Sequence, residues 1–212
     1  YSEGYRNGGV NSVPECTPDQ IASDQQQLCA LASEVLITPD EIENYEIGYK
    51  GFLMNRTISV SAALYTIDWQ DLQVSTVTIN GGLPIIGNGS EAESRGFEFQ
   101  GRWLINEGWD VLLTYAYNNA ELTATAPGLV GPFDALDGAR LPGSPEHQAT
   151  FNITYNRTIW NSVDLMINYG VVYTGGVYNI PGGDRDPLVD PETGERGDRG
   201  GEEIPSYDVH HL

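Results

Sequence analysis

Nowhere in the 212-residue chain is there a run of about 18 apolar residues, so a membrane-spanning helix is excluded. Basic residues are scarce as well: 10 Lys and Arg stand against 30 Asp and Glu, for a net charge of −20. That balance argues against nucleic acid as a partner, because phosphate binding needs Lys and Arg. The three histidines, His147, His210 and His211, build no Ser/His/Asp set and no metal-ligand spacing. Nothing in the residues points to an enzyme, a cofactor or a metal centre. There is no initiating Met and no signal peptide at Tyr1, and the chain starts and stops within strand-like sequence. It reads as an internal piece of a longer protein.

The missing helix leaves the membrane open. A mean hydropathy of −0.31 and a hydrophobic fraction of 40% look soluble, yet a β-barrel crosses lipid with strands whose every second residue meets hydrocarbon. The 12 Tyr, 4 Trp and 5 Phe favour the membrane mildly, since aromatic rings collect at bilayer interfaces.

Five segments carry that alternation. Tyr45, Ile47 and Tyr49 oppose Asn44, Glu46, Gly48 and Lys50. Phe97, Phe99 and Trp103 oppose Glu98, Gln100 and Arg102. Trp109, Val111, Leu113, Tyr115 and Tyr117 oppose Asp110, Thr114 and Asn118. Phe151, Ile153 and Tyr155 oppose Thr150, Asn152 and Thr154, and Val163 to Tyr173 alternates against Asp164 and Asn168. Successive strand side chains face opposite sides, so each segment is a strand with one apolar and one polar face. The strand Trp109–Tyr117 fits a bilayer: eight steps of about 3.3 Å, tilted roughly 40°, rise ~20 Å against an apolar band of ~25 Å.

The connections alternate in length. Turns near 51–56, 105–108 and 157–160 are short, whereas 11–41, 123–144 and 174–205 are long and polar or rich in Gly and Pro. Short turns on one side and long loops on the other mark a transmembrane β-barrel. The expected strands are Tyr1–Val10, Ile42–Lys50, Ile58–Val74, Glu93–Leu104, Trp109–Leu122, His147–Asn156 and Asn161–Thr174, with another descent from Tyr207. The chain is therefore all-β, an antiparallel meander of about eight strands, with the short turns periplasmic and the long loops extracellular. Glu46, Lys50, Glu98, Arg102, Asp110 and Asp164 fall on the lumen side, where a charge is tolerated; facing lipid near the midplane it would cost ~2–4 kcal/mol, less for the acids.

The first long loop carries Glu15, Asp19, Asp24, Glu34, Asp40 and Glu41 with no base, and the last is nearly as acidic. Together they hold more than half of the net negative charge. Solvation of an exposed surface explains this; attraction of cations or cationic cargo is the sharper alternative. Cys16 and Cys29 lack CxxC spacing and a neighbouring His, and read as a local disulfide worth ~3 kcal/mol in the chain-entropy model.

Other patterns dissolve. Asp184 to Glu195 resembles a calcium loop, but Leu188 and Val189 stand where an oxygen ligand and Gly are needed. The sequons at Asn55, Asn88, Asn152 and Asn156 are chance matches, two of them at short turns and one mid-strand. Asp208 and His210 could line the lumen with His211 outward; the plainer reading is a polar strand end.

Six motifs in order narrow the family: Ser2 to Asn11 (SEGYRNGGVN), Thr38 to Gly51 (TPDEIENYEIGYKG), Ala63 to Gln73 (ALYTIDWQDLQ), Asn88 to Glu98 (NGSEAESRGFE), Tyr115 to Leu122 (YAYNNAEL) and Arg140 to His147 (RLPGSPEH). Together they resemble the C-terminal part of the barrel of TonB-dependent outer-membrane receptors. The resemblance implies residues 1–212 of a barrel of about 22 strands, the size of the plugged outer-membrane transporters, with the plug, N-terminal strands and final strands lying outside the chain. It further implies a receptor in the outer membrane of a Gram-negative bacterium, surrounded by lipid and energised by a TonB–ExbB–ExbD complex acting on the plug. The implied activity is uptake of a scarce solute: a ferric siderophore before haem, cobalamin or oligosaccharide. A passive porin or an adhesive barrel is the alternative.

Cargo contacts in such a receptor would sit on loops at the outer mouth. Aromatic and cationic side chains there grip a chelate by stacking and charge. The candidates are Arg6 and Trp69 near strand tops, Arg140 before its descending strand and Tyr178 in the last long loop. The simpler alternative makes Trp69 an interfacial anchor and gives the arginines to neighbouring acids.

Overall fold

The computed structural model describes residues 1–22, 28–78, 82–130, 133–160, 163–180 and 203–212. Eight strands form one sheet: β1 (Ser2–Arg6), β2 (Asp40–Leu53), β3 (Ile58–Gln70), β4 (Ala92–Leu104), β5 (Trp109–Leu122), β6 (His147–Ile159), β7 (Val163–Thr174) and β8 (Tyr207–His211). Each pairs antiparallel with its neighbours in this order, so the sheet is a meander. It does not close on itself, and β1 and β8 form its two ends.

Residues directly opposite one another in an antiparallel pair share a face, so the register sorts the side chains. One row runs Tyr49, Ala62, Phe99, Tyr115, Ala149, Tyr173; the next on the same face begins Ile47, Leu64, Phe97, Tyr117. On the opposite face lies the row Lys50, Ser61, Gln100, Thr114, Thr150. The apolar face is bare of protein: Ile47 is 74% exposed and Ile167 54%. Hydrocarbon is the cover that such a face requires, and the strand-to-strand ladder meets the backbone's hydrogen-bonding needs there.

The polar face is cross-linked by its own side chains, although the buried Asn44 Oδ1 has no partner among them. Asn152 and Asn168 exchange amide hydrogen bonds, Asn168 donates to Thr154 (2.7 Å), Thr158 donates to Asp164 (2.7 Å), and the Arg102 guanidinium donates to Asp110 (3.0 Å). Glu46, Lys50 and Glu98 share this face by register, as expected. Aromatic rings border the apolar band. At the short-turn end Trp109 packs on Tyr155 with centroids 4.6 Å apart; at the other, the Tyr115 hydroxyl meets His147 Nδ1 at 2.9 Å.

Several boundaries move. The strand expected over Ile42–Lys50 extends to Asp40 and Leu53, and that expected over His147–Asn156 runs on to Ile159. Tyr1–Val10 is two pieces, Ser2–Arg6 and Gly9–Val10. Ile58–Val74 is not one strand: it stops at Gln70, Asp71 takes φ +52°, and Gln73–Val77 forms a separate hairpin with Pro84–Asn88. A left-handed residue breaks the ladder, which alternation alone does not reveal. The first loop, with no clear regular structure in the sequence, holds one-turn helices Pro18–Ile21 and Ala32–Val35 and a ribbon of Gly9–Val10 with Leu36–Ile37. The calcium-like stretch and residues 161 and 162 lie outside the described residues.

The placement of the last histidines is corrected. His210 faces Val171 and Asp208 faces Tyr173, so both lie on the outward face, while His211 opposite Gly170 is on the inner one. The register is set by β7, whose Tyr169, Val171 and Tyr173 point outward, and one residue of parity flips a strand. His210 meets the Tyr169 hydroxyl at 2.7 Å and Asp208 at 2.6 Å.

Candidate functional site

The long-loop end of the wall carries its own small core. Leu72, Ala92, Leu122, Ala126, Ala135 and Ala139 are buried together, with Trp69, Val74 and Leu141 packed against them. Ala92, opposite Trp69 and Leu122, belongs to the inner face, so this core lies under the outer loops.

Beside it is the most heavily hydrogen-bonded carboxylate of the described residues. Asp40 is 2% exposed and heads β2 opposite Arg6, the last residue of β1. The Arg6 backbone N–H donates to its Oδ1 at 3.1 Å, and the guanidinium grips the carboxylate through Nε (2.8 Å to Oδ2) and Nη2. The Trp69 indole N–H (3.0 Å) and the Gln73 backbone N–H (3.2 Å) complete the set on Oδ2. The Arg6 guanidinium lies 5.1 Å from the Trp69 ring centroid, a cation–π contact, and also donates to the Gln73 carbonyl at 3.1 Å.

This end of β2 and β3 projects past the bilayer, because their outward face there carries Glu41, Glu43, Asp68 and Gln70 in place of apolar residues. Burial alone would push the Asp40 carboxyl up; the donors from Arg6, Gln73 and Trp69 outweigh it and hold the group down at about 2.

Amides extend the network. Gln73 Nε2 donates to the carbonyls of Asn7 (3.2 Å) and Thr38 (3.0 Å). The Asn88 side chain accepts from Thr38 N–H (2.7 Å) and donates to the Thr38 and Asp71 carbonyls. Asn11 bonds both backbone groups of Ile86 and the carbonyl of Glu34. The Cys16–Cys29 disulfide is present, with Cα atoms 4.9 Å apart, and the Cys16 N–H donates to the Ala30 carbonyl at 2.9 Å.

Of the four expected cargo residues, Arg6 and Trp69 come together, on Asp40. Trp69 is on the inner face and packs on the loop core, so it is not a lipid-interface anchor. The Arg140 backbone pairs in an isolated antiparallel bridge with that of Glu121, and its guanidinium stands 3.5 Å from the Glu146 carboxylate. Tyr178 is half-buried in a ribbon with Glu203–Ile204, and its carbonyl accepts from Gly143 N–H at 2.9 Å, linking the loops that carry Tyr178 and Arg140. Sequence reading missed Asp40, Gln73, Asn88 and Asn11 as a connected set, treating Asp40 as one more loop acid. Only the opposed ends of β1 and β2 bring Arg6 and Asp40 together, and no local pattern signals it.

An antiparallel wall with one face for lipid, a polar inner face and a disulfide-stapled outer loop is that of an outer-membrane β-barrel. The model of the family "TonB dependent receptor-like, beta-barrel" matches residues 1–212, and the chain belongs to this family. The family consists of outer-membrane receptors, not enzymes. A relative from Acinetobacter baumannii, described as a probable TonB-dependent siderophore receptor PiuA, is 26% identical over 153 residues, which are 69% of this chain and 19% of that protein. The ferric yersiniabactin uptake receptor FyuA of Yersinia pestis superimposes with a TM-score of 0.63 at 18% identity, over 99% of this chain and 25% of FyuA. The crystal structure of PiuA from Acinetobacter baumannii gives a TM-score of 0.56 at 19% identity, over 96% of this chain and 26% of PiuA. At these identities the superpositions establish the fold. The chain spans about a fifth of the length of the relative it matches in sequence.

Proposed function

We propose that this chain is part of the barrel of an outer-membrane receptor that imports a ferric siderophore, with the step energised through TonB acting on a plug outside residues 1–212. The carrying observation is the family match over all 212 residues; a relative described as a siderophore receptor supports the cargo class. The lipid-facing and lumen-facing registers support a wall seated in a Gram-negative outer membrane. Cargo would meet the outer mouth, where Arg140, Tyr178 and the half-exposed side of Arg6 are the proposed contacts and Trp69 backs Arg6 from below.

The test uses the full-length receptor in cells lacking other siderophore receptors, supplied with ferric trihydroxamate and ferric triscatecholate chelates. Saturable iron uptake that disappears when TonB is deleted is the expected result. Uptake indifferent to TonB would mean a passive barrel, and no uptake of any ferric chelate would remove the siderophore reading. Alanine replacements of Arg140 and Tyr178 should weaken chelate binding without lowering receptor abundance.

A further inference from the structure

We infer that Asp40 is a latch that makes the outer rim over β1–β3 a single body, and that it acts as a positioning residue for cargo capture; the second half rests on the transport reading above. Four stretches meet at or next to this one carboxylate. Arg6 ends β1 and leads directly into 7–11, and its backbone N–H and guanidinium both hold Asp40. Residues 36–39 precede Asp40 and are tied through Thr38 to Gln73 and Asn88. Gln73 opens the 73–77 strand and donates its own N–H to Asp40. The 84–88 strand pairs with 73–77 and is pinned twice, by Asn88 to Thr38 and by Ile86 to Asn11.

Among the described residues, apolar burial does not join all four stretches. Val10 is 63% exposed and Leu36 67%, although they face one another in the ribbon. In the hairpin Ile85 is buried and Val74 packs on the cluster of Leu72, Leu122 and the alanines, but neither 7–11 nor 36–39 contributes a buried apolar side chain. These stretches are therefore joined by polar bonds, those of Arg6, Trp69 and Gln73 converging on one buried acceptor, and a charged acceptor with several donors is the strongest noncovalent link among them. Removing it leaves the Trp69 indole N–H without its partner, reduces the Arg6 guanidinium to its bond with the Gln73 carbonyl, and takes away the bond from the Gln73 N–H to β2. A surface loop set with so small a core opens locally, in cooperative units. Here that unit is the whole set.

The experiment compares the purified full-length receptor with its Asp40→Ala, Asp40→Asn and Trp69→Phe variants by hydrogen exchange. In Asp40→Ala, amides of 7–11, 36–39, 73–77 and 84–88 should exchange faster together, by roughly tenfold. The interiors of β5–β7 should not change. Asp40→Asn, which keeps an acceptor but loses the charge, should fall between it and the parent. Acceleration confined to residues 6 and 40, or none, overturns the latch. If Asp40→Ala does not assemble, Trp69→Phe decides: it keeps the ring under Arg6, deletes one donor, and must still speed the same four stretches. With the ferric chelates named above, Asp40→Ala should raise the half-saturating concentration several-fold and leave the maximal TonB-driven rate unchanged. A lowered maximal rate at unchanged half-saturation overturns the positioning role. A parent that imports no ferric chelate overturns the siderophore reading while the exchange result still decides the latch.

Discussion

The wall and the rim of this protein are held together in opposite ways. In the wall, β2–β7 carry long uninterrupted ladders, the apolar side chains point away from the protein, and the inner face is a fabric of Asn, Thr and paired charges. In the rim, ladders are two to five residues long, a small apolar cluster is buried, and polar side chains converge on Asp40. The difference teaches where a barrel's stability resides. The wall needs lipid outside it and regular backbone bonding within it, while the rim, standing in water, must use specific side chains and a disulfide.

The sharpest way to break that contrast is to charge the lipid face. Leu113→Arg should cost about 2–4 kcal/mol and impair assembly, whereas Thr114→Arg, one residue on and facing the lumen, should be tolerated. Receptor abundance in the outer membrane measures both, and equal tolerance would contradict the assigned faces. Replacing Cys16 and Cys29 by Ser should remove up to about 3 kcal/mol of constraint from the rim alone. Limited proteolysis should then cut the first long loop faster while the barrel's heat transition stays put; a lowered transition would show that rim and wall are one cooperative unit.

Smaller effects sharpen the boundary. Arg102 and Asp110 form an ion pair on the inner wall with the Arg side chain 54% exposed, so Arg102→Ala should cost at most about 1 kcal/mol in chemical unfolding. A larger loss would mean that the inner face is drier than its exposure implies. Smallest of all, Asp71→Gly should stabilise the hairpin that begins at Gln73 by under about 1 kcal/mol, because glycine takes the left-handed conformation without strain. Slower hydrogen exchange over 73–77 is the expected sign, and faster exchange would show that the Asp71 side chain has a task of its own.

Most of the wall was legible in the sequence because its cause is local. Tyr45, Ile47 and Tyr49 alternate with polar neighbours, and so do the outward residues of β4–β7; a period of two needs no knowledge of any partner strand. The short turns and long loops supplied the topology in the same way. Legibility failed first at β8. Asp208, His210 and His211 hold no apolar period, so their faces were set only by pairing with Val171 and Tyr173. It failed again at Asp71, where a single left-handed residue ends β3 inside a stretch that continues to look like strand.

The candidate site was half legible. Arg6 and Trp69 stood out as a cation and an aromatic near strand tops, and the sequence placed each at the outer end of its strand. That they meet each other over a buried Asp40 was beyond it, because Arg6 lies 34 residues from Asp40 and Trp69 lies 29 residues from it. The sequence by itself determined an all-β chain with a lipid face, a lumen face, a stapled first loop and its family, since alternation and short motifs are properties of neighbouring residues. The tertiary structure alone decided which polar side chains are buried, which register β8 adopts, and that the rim converges on one carboxylate. Those outcomes depend on which strand ends the sheet brings side by side, and no run of neighbouring residues encodes that meeting.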